Sequence, residues 1–176
     1  PGTNVIATHV SADGVNFVTT LGVGDYTEIG DPEVIISIDD NTEAIGALIY
    51  TFPTGVHVHK TTYMDLNFFG GNDSVPEGTP DAGIGSVLAN GMVALLSTTA
   101  EFEDYITGQT LADQEGNENV VKLSTSTSGA MSGISLNETG DAKTVYVNIA
   151  SDEWESPSNV TVLGIVILEW TRITTS

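Results

Sequence analysis

The sequence predicts an all-β domain, a sandwich or a barrel, and three observations carry that expectation. Short runs rich in Val, Ile, Thr, Tyr and Phe recur over residues 4–10, 15–22, 33–38, 46–52 and 56–69. Turn-forming residues break them at Asp13-Gly14, Gly24-Asp25, Gly30-Asp31-Pro32, residues 39–42 and Pro53-Thr54-Gly55. Apolar residues make up 40% of a 176-residue chain that has no cysteine, so its core must be built by packing and not by disulfides.

Further strands are expected over 119–124, 129–136, 143–149 and 160–173. In the last of these, Val160, Val162, Val166, Leu168 and Trp170 alternate with Thr161, Leu163, Ile165, Ile167 and Thr171. Both faces are largely apolar, which places this strand between a core and a second layer or a neighbouring subunit. One short helix is expected where Thr98-Thr99-Ala100-Glu101 forms a capping box, with Phe102, Tyr105 and Ile106 on one face and Gly108 at its end. Residues 70–85, rich in glycine, proline and acids, read as one long surface loop, and Asp113–Asn119 as a second, polar one. No internal repeat divides the chain, so residues 1–176 are expected to form one domain.

Charge excludes several functions. Twenty-four acidic residues face only Lys60, Lys122, Lys143 and Arg172, a formal net charge of −20. Binding nucleic acid requires cations that displace condensed counterions, and an anionic membrane surface requires them too. Neither is expected as a partner. A surface of this kind keeps copies apart in dilute salt, suits a saline medium and can attract divalent cations. The most apolar run, Val160–Trp170, is interrupted by Gly164 and Glu169 and is too short for a spanning helix. From Pro1 onward no basic stretch leads into an apolar one, so a secretory signal is expected to be either absent or already removed.

Motifs that carry chemistry are few. On a strand, His57 and His59 point to one face, and Gly55-Val56-His57-Val58-His59 resembles the opening of the first cupin metal motif. The pattern then breaks: Met64 stands where a glutamate belongs, Asp65 is out of step, and the one other histidine is His9. An open metal site needs three protein ligands, so the pair reads more simply as two polar side chains on an exposed strand face. Asp113, Glu115 and Asn117 offer oxygen ligands at alternating positions, as Asp39, Asp40 and Glu43 do in a turn. The calcium loop of an EF-hand is not met, because its closing glutamate falls at Ser124. Solvated loops are the ordinary reading of both, and no cofactor is expected. There is no Gly-x-Ser-x-Gly elbow, P-loop or dinucleotide fingerprint, so no catalytic residue is assigned. Trp154 and Trp170 would make a sugar platform if both were exposed, which keeps a carbohydrate-binding module or a cupin-like metalloprotein as alternatives.

Five segments in order, Tyr26–Ile38, Thr79–Gly85, Tyr105–Thr110, Thr144–Ile149 and Val160–Thr171, resemble small all-β head proteins of tailed bacteriophages. The likeness is particularly to the decoration (cement) proteins of aquatic phages. This resemblance implies a single β-sandwich of jelly-roll type and a homotrimer on the capsid exterior of the virion. It also implies manufacture in a host cytoplasm, a major capsid protein as partner, and no active site. A rival within the class is the single jelly-roll shell-building capsid protein of a tailless halophilic virus. Lattice or oligomer contacts are expected from the 70–85 loop, at Gly70, Gly71, Val75, Pro76, Pro80 and Ile84, and from the N-terminal segment.

Overall fold

The computed structural model describes residues 4–24, 34–38, 44–70, 81–89, 95–111, 120–125, 130, 135–136, 144–150 and 158–173. Their strands are β1 (Val5–Val10), β2 (Asn16–Val23), β3 (Val34–Ile38), β4 (Ala44–Thr51), β5 (Val56–Gly70) and β6 (Asp81–Gly85). After these come β7 (Ile106–Thr110), β8 (Val120–Thr125), β9 (Ser135–Leu136), β10 (Thr144–Ala150) and β11 (Ser158–Ile173). They form two antiparallel sheets that pack as a β-sandwich. The small sheet runs β4-β10-β6-β7, and the large one runs β1-β2-β11-β5-β8. In the large sheet β3 lies beside the first part of β11, and β9 beside the first part of β5.

Alternation explains how the sheets meet. Val160, Val162, Val166, Leu168 and Trp170 of β11 point inward, and so do Met64, Leu66 and Phe68 of β5. Ile49 of β4, Ile84 of β6 and Val145, Val147 and Ile149 of β10 meet them in a single core cluster. Burying each such side chain contributes about 1.5–3 kcal/mol, and β-branched residues suit the pleated surface that presents them. Gly164 lets β11 lie close against β5. Its φ is +142°, and a Cβ there would stand 2.2 Å from the Asp65 carbonyl oxygen. At that bend the edge passes from β3, paired with residues 158–162, to β2, paired with residues 164–171.

Two local expectations are corrected. The expected helix is instead a pair of 3-10 turns, Leu96–Thr98 and Ala100–Phe102; Thr98 lies inside the first, and Thr99, the N-cap of the second, makes no side-chain cap bond. Tyr105 then donates its N–H to the Ile84 carbonyl, 2.9 Å, and Ile106 opens strand β7. Sheet pairing with β6 satisfies this backbone, and the three apolar residues are divided between two clusters instead of sharing one helix face. The long loop is also shorter at both ends than expected, since β5 runs through Gly70 and β6 begins at Asp81. Of the strand expected over 129–136, the described part is a turn residue, Ala130, and the short strand Ser135–Leu136.

In the small sheet the outer side of β10 is covered by the chain that joins β6 to β7, while Leu48 of β4 stays exposed. Ala89, Leu96 and Phe102 of that connection bury Ala150 of β10 in a second cluster. Asn148, also on the outer side of β10, ties the cover down. Its Oδ1 accepts from the Ala89 N–H at 3.0 Å, while Nδ2 donates to the carbonyls of Val87 at 3.0 Å and Phe102 at 2.8 Å. Gly46 of β4 leaves the room this carboxamide needs, because a Cβ there would lie 2.0 Å from its Oδ1.

Candidate functional site

The histidine pair lies inside the sandwich. In β5 the register with β11 passes from Glu169↔Thr61 to Trp170↔His59, leaving Lys60 as the extra residue of a bulge. The bulge switches the inward face from Thr62 and Met64 to His59 and His57, and turns Lys60 out to solvent. Both imidazoles do share a face, but it is the buried one, which corrects the expectation of an exposed strand face. Their neighbours are rings. His57 stands edge-on to Trp170 with centroids 4.9 Å apart, and His59 stands edge-on to Tyr105 at 4.9 Å. Trp170 stacks on Phe17 at 4.4 Å and meets Phe52 edge-on at 5.7 Å.

This surrounding fixes the protonation of the pair's second member. Burial lowers the pKa of His59 to about 4, because the cation would be taken out of water. His59 Nε2 shares a 3.0 Å hydrogen bond with Thr62 Oγ1, and its Nδ1 has no partner among the described residues. Burial also raises the Tyr105 phenol well above its ordinary value. Among the described residues no three of His, Cys, Asp and Glu come together in a way that would hold a metal ion. The arrangement is an aromatic and histidine core that fixes the ends of β5 and β11 against β4 and the approach to β7.

A second buried polar group lies under the cover. Asp104 accepts from the Ser86 N–H at 2.7 Å and from the Ser86 hydroxyl at 2.6 Å. Desolvation nevertheless dominates and pushes its pKa up to about 6. The Ser86 carbonyl accepts from Thr144 Oγ1 at 2.9 Å, so Asp104, Ser86 and β10 form one chain of bonds.

The large sheet has a different outer face. Ile6, Val10 and Val18 of the β1–β2 hairpin, Ile35 of β3 and Ile165 of β11 are all exposed there, Ile6 at 68% and Val10 at 64%. Register joins them: Ile6 is opposite Gly22, and Gly22 is opposite Ile165. Val10 is opposite Val18 four residues along. The seven strands of this sheet hold only Asp65 and Glu169 of the 24 acidic residues, but Lys60, Lys122 and Arg172 of the four basic ones.

No protein-family model matches this chain, and no curated protein matches it. The functional reading therefore rests on the residues and their geometry.

Several expected site residues lie outside the described residues: Asp113, Glu115 and Asn117, the Asp39–Glu43 turn, Trp154, and Gly71, Val75, Pro76 and Pro80. Of the expected contact residues that are described, Gly70 ends β5 opposite Val160. Ile84 is fully buried in β6, a core position and not a loop contact. Trp170 is buried too, with Nε1 donating to Thr19 Oγ1 at 2.8 Å, so it cannot share an open sugar platform with Trp154. No helix among the described residues is long and apolar enough to cross a membrane. Residue-by-residue reading did not single out Ile6, Val10, Val18 and Gly22. Apolar residues on both faces of β11 were the available signal, and the pairing of β2 with β11 carries it onto the hairpin.

Proposed function

We propose that this chain is a capsid decoration (cement) protein, held on the exterior of an icosahedral virus head beside the major capsid protein. The observation that carries this reading is the bare apolar face of the large sheet. A chain of net charge −20 with few acids in its described strands presents there a broad apolar surface suited to protein contact, and a structural protein of a repeating assembly needs such a surface. Strand order supports the same reading. Taken through β3, the large sheet runs β3-β11-β5-β8 and the small sheet β4-β10-β6-β7. We read this interleaving as a jelly roll with the β1–β2 hairpin added along the second half of β11, and jelly rolls recur in capsid proteins. Burial of both histidines away from solvent favours this role over a cupin-like metal site.

The mechanism is clamping. Each copy covers apolar surface at a joint between shell subunits, and many weak contacts add up because the lattice presents them together. The test uses heads of the parent virus assembled with and without the chain, then heated or diluted into low salt. Decorated heads are expected to survive higher temperature and lower ionic strength. Equal robustness of bare heads would end the cementing role.

A further inference from the structure

We propose that the free edge of β1 is a two-fold pairing site for a second copy of this chain, so that the large sheets of two molecules join edge to edge. The pairing lies in the plane of the sheet and leaves its outer face to the shell contact, so it does not depend on the capsid role.

The backbone supplies the site. Among the described residues β1 pairs with β2 alone, in one unbroken register from Val5↔Val23 to Val10↔Val18. Gly24 donates its N–H to the Asn4 carbonyl at 3.0 Å, which fixes the phase of that ladder. Antiparallel partners alternate between bonded and non-bonded pairs. Ile6, Thr8 and Val10 therefore bond to β2, while the N–H and C=O groups of Val5, Ala7 and His9 point to the open side. Such an edge takes another strand unless something blocks it. Three other edge strands carry blocks. β4 is bulged at Ile49, and β7 is bulged against Gly83. Glu103 Oε2 also accepts from the Gly108 N–H of β7 at 2.7 Å, and β8 carries Lys122. β1 has no bulge, proline, glycine or charged residue.

A second copy fits this edge because the strand is complementary to itself. Two β1 strands set antiparallel, with Thr8 on the two-fold axis, let Ala7 and His9 exchange main-chain bonds with His9 and Ala7 of the other copy. On the outer side Ile6, 68% exposed, then lies opposite Val10, 64% exposed, and the same pair recurs across the axis. Pairing takes part of both side chains out of water. Thr8 meets Thr8 between them, a favourable cross-strand contact. On the inner side the small Ala7 leaves room for the His9 ring. One strand supplies both halves of the contact, which is the condition of an isologous interface.

Charge permits the approach here. Two copies of net charge −20 repel each other through most of their surface. Residues 4–24 hold a single charged side chain, Asp13, at the tip of the β1–β2 hairpin. With Thr8 on the axis, the two Asp13 residues stand about 33 Å apart along the strands. The acids within the sheet, Glu169 opposite Val18 and Asp65 opposite Ile165, lie on β11 and β5, behind β1 and β2. Pairing keeps the two β11 strands about 24 Å apart, well beyond the screening length of about 8 Å at physiological salt.

Sedimentation equilibrium of the purified full chain tests the pairing, at physiological salt and at about 1 M, where the screening length falls to about 3 Å. A dimer, twice the 18.4 kDa of the chain, is expected, and it should be tighter at high salt. Its formation should slow amide hydrogen exchange at Ala7 and His9, while Ile6 and Thr8, already bonded to β2, change little. Ala7→Pro removes an N–H that β2 does not use, a change an edge strand tolerates, and is expected to abolish the dimer. Thr8→Lys lowers the overall repulsion yet sets like charges opposite each other on the axis, and is expected to weaken association several-fold. A chain that stays monomeric at both salts overturns the proposal, and so does a trimer. A dimer that either substitution leaves unchanged overturns it too, as does one in which Ala7 and His9 exchange as fast as in the monomer. If Ala7→Pro does not fold, the exchange rates and Thr8→Lys decide. Because no shell is present, failure here leaves the head-stability test untouched, and failure of that test leaves the pairing standing.

Discussion

On the small sheet, β10 turns Asn148 and Ala150 outward, and both are fully buried; on the large sheet, β1 and β11 turn Ile6 and Ile165 outward, and both are exposed. Strand chemistry does not separate them, since both sheets are built from Val, Ile, Leu and Thr. The connections do. The link from β6 to β7 returns across its own sheet and brings Leu96 and Phe102 down on Ala150. A returning loop carries backbone N–H and C=O groups into an apolar layer, where each needs a partner. Asn148 supplies three such bonds and Asp104 one more, to the Ser86 N–H. An outward apolar face can thus be closed within the chain only where buried polar side chains meet the backbone that closes it. On the large sheet the outward Asn16 of β2 meets side chains instead, donating to Asp13 Oδ2 and accepting from Lys60 Nζ and Thr171 Oγ1.

The largest expected effect tests that difference directly. Asn148→Leu leaves an N–H and two carbonyls unpaired under the cover, which is expected to cost about 3 kcal/mol of unfolding free energy. Ile35→Thr, on the open face of the large sheet, should change it by no more than about 0.5 kcal/mol. Urea unfolding of the two variants at low salt measures both. Similar losses would mean that the covered and open faces do not differ in the way described.

Much of the architecture was legible in the sequence because β-branched runs between turn residues have few other solutions. β2, β5 and β11 fall close to their expected bounds. What could not be read is instructive. β6 (Asp81–Gly85) is a glycine-rich stretch that pairs because β10 lies beside it, and its Gly85 is held close to the Phe102 backbone. Residues 98–106 satisfy a helix-start pattern locally, yet pairing with β6 and the division of Phe102 and Tyr105 between two clusters prevail over it. For the candidate site, the sequence put His57 and His59 on one face but could not say which, because the bulge at Lys60 sets the side. The open face was foreshadowed only by β11, whose outward Ile165 and Ile167 break the polar half of the alternation.

Titration of the joint between the sheets comes next in size. Burial holds His59 at about 4, against an unfolded value of about 6.5. Between those values the unfolded chain binds more protons than the native one, so stability is lost as pH falls through that window. His59→Phe keeps a ring against Tyr105 and removes the titrating group. Loss of the Thr62 bond should make the variant weaker near neutrality by about 1 kcal/mol. Its stability should then decline less than the wild type's on acidification toward about pH 4, which denaturation midpoints at several pH values will read. A parallel decline in both proteins would show that His59 is not what couples proton binding to the core.

The smallest expected effect returns to the cover and has the opposite sign. Asp104 titrates at about 6 in the native chain and at about 3.9 when unfolded. In that interval the native state binds more protons, so its stability falls as pH rises from about 4 to about 6. The two Ser86 bonds oppose this by favouring the carboxylate, but they do not cancel the desolvation that dominates. Asp104→Asn keeps an oxygen for the Ser86 N–H and presents an amide N–H to the Ser86 hydroxyl, while removing the charge. The comparison to make is the change in unfolding midpoint between about pH 4 and about pH 7 in each protein. Wild type should lose more across that range than the variant does. If both lose equally, the buried carboxylate is tolerated without cost, and the cover is held by its apolar contacts and Asn148 alone.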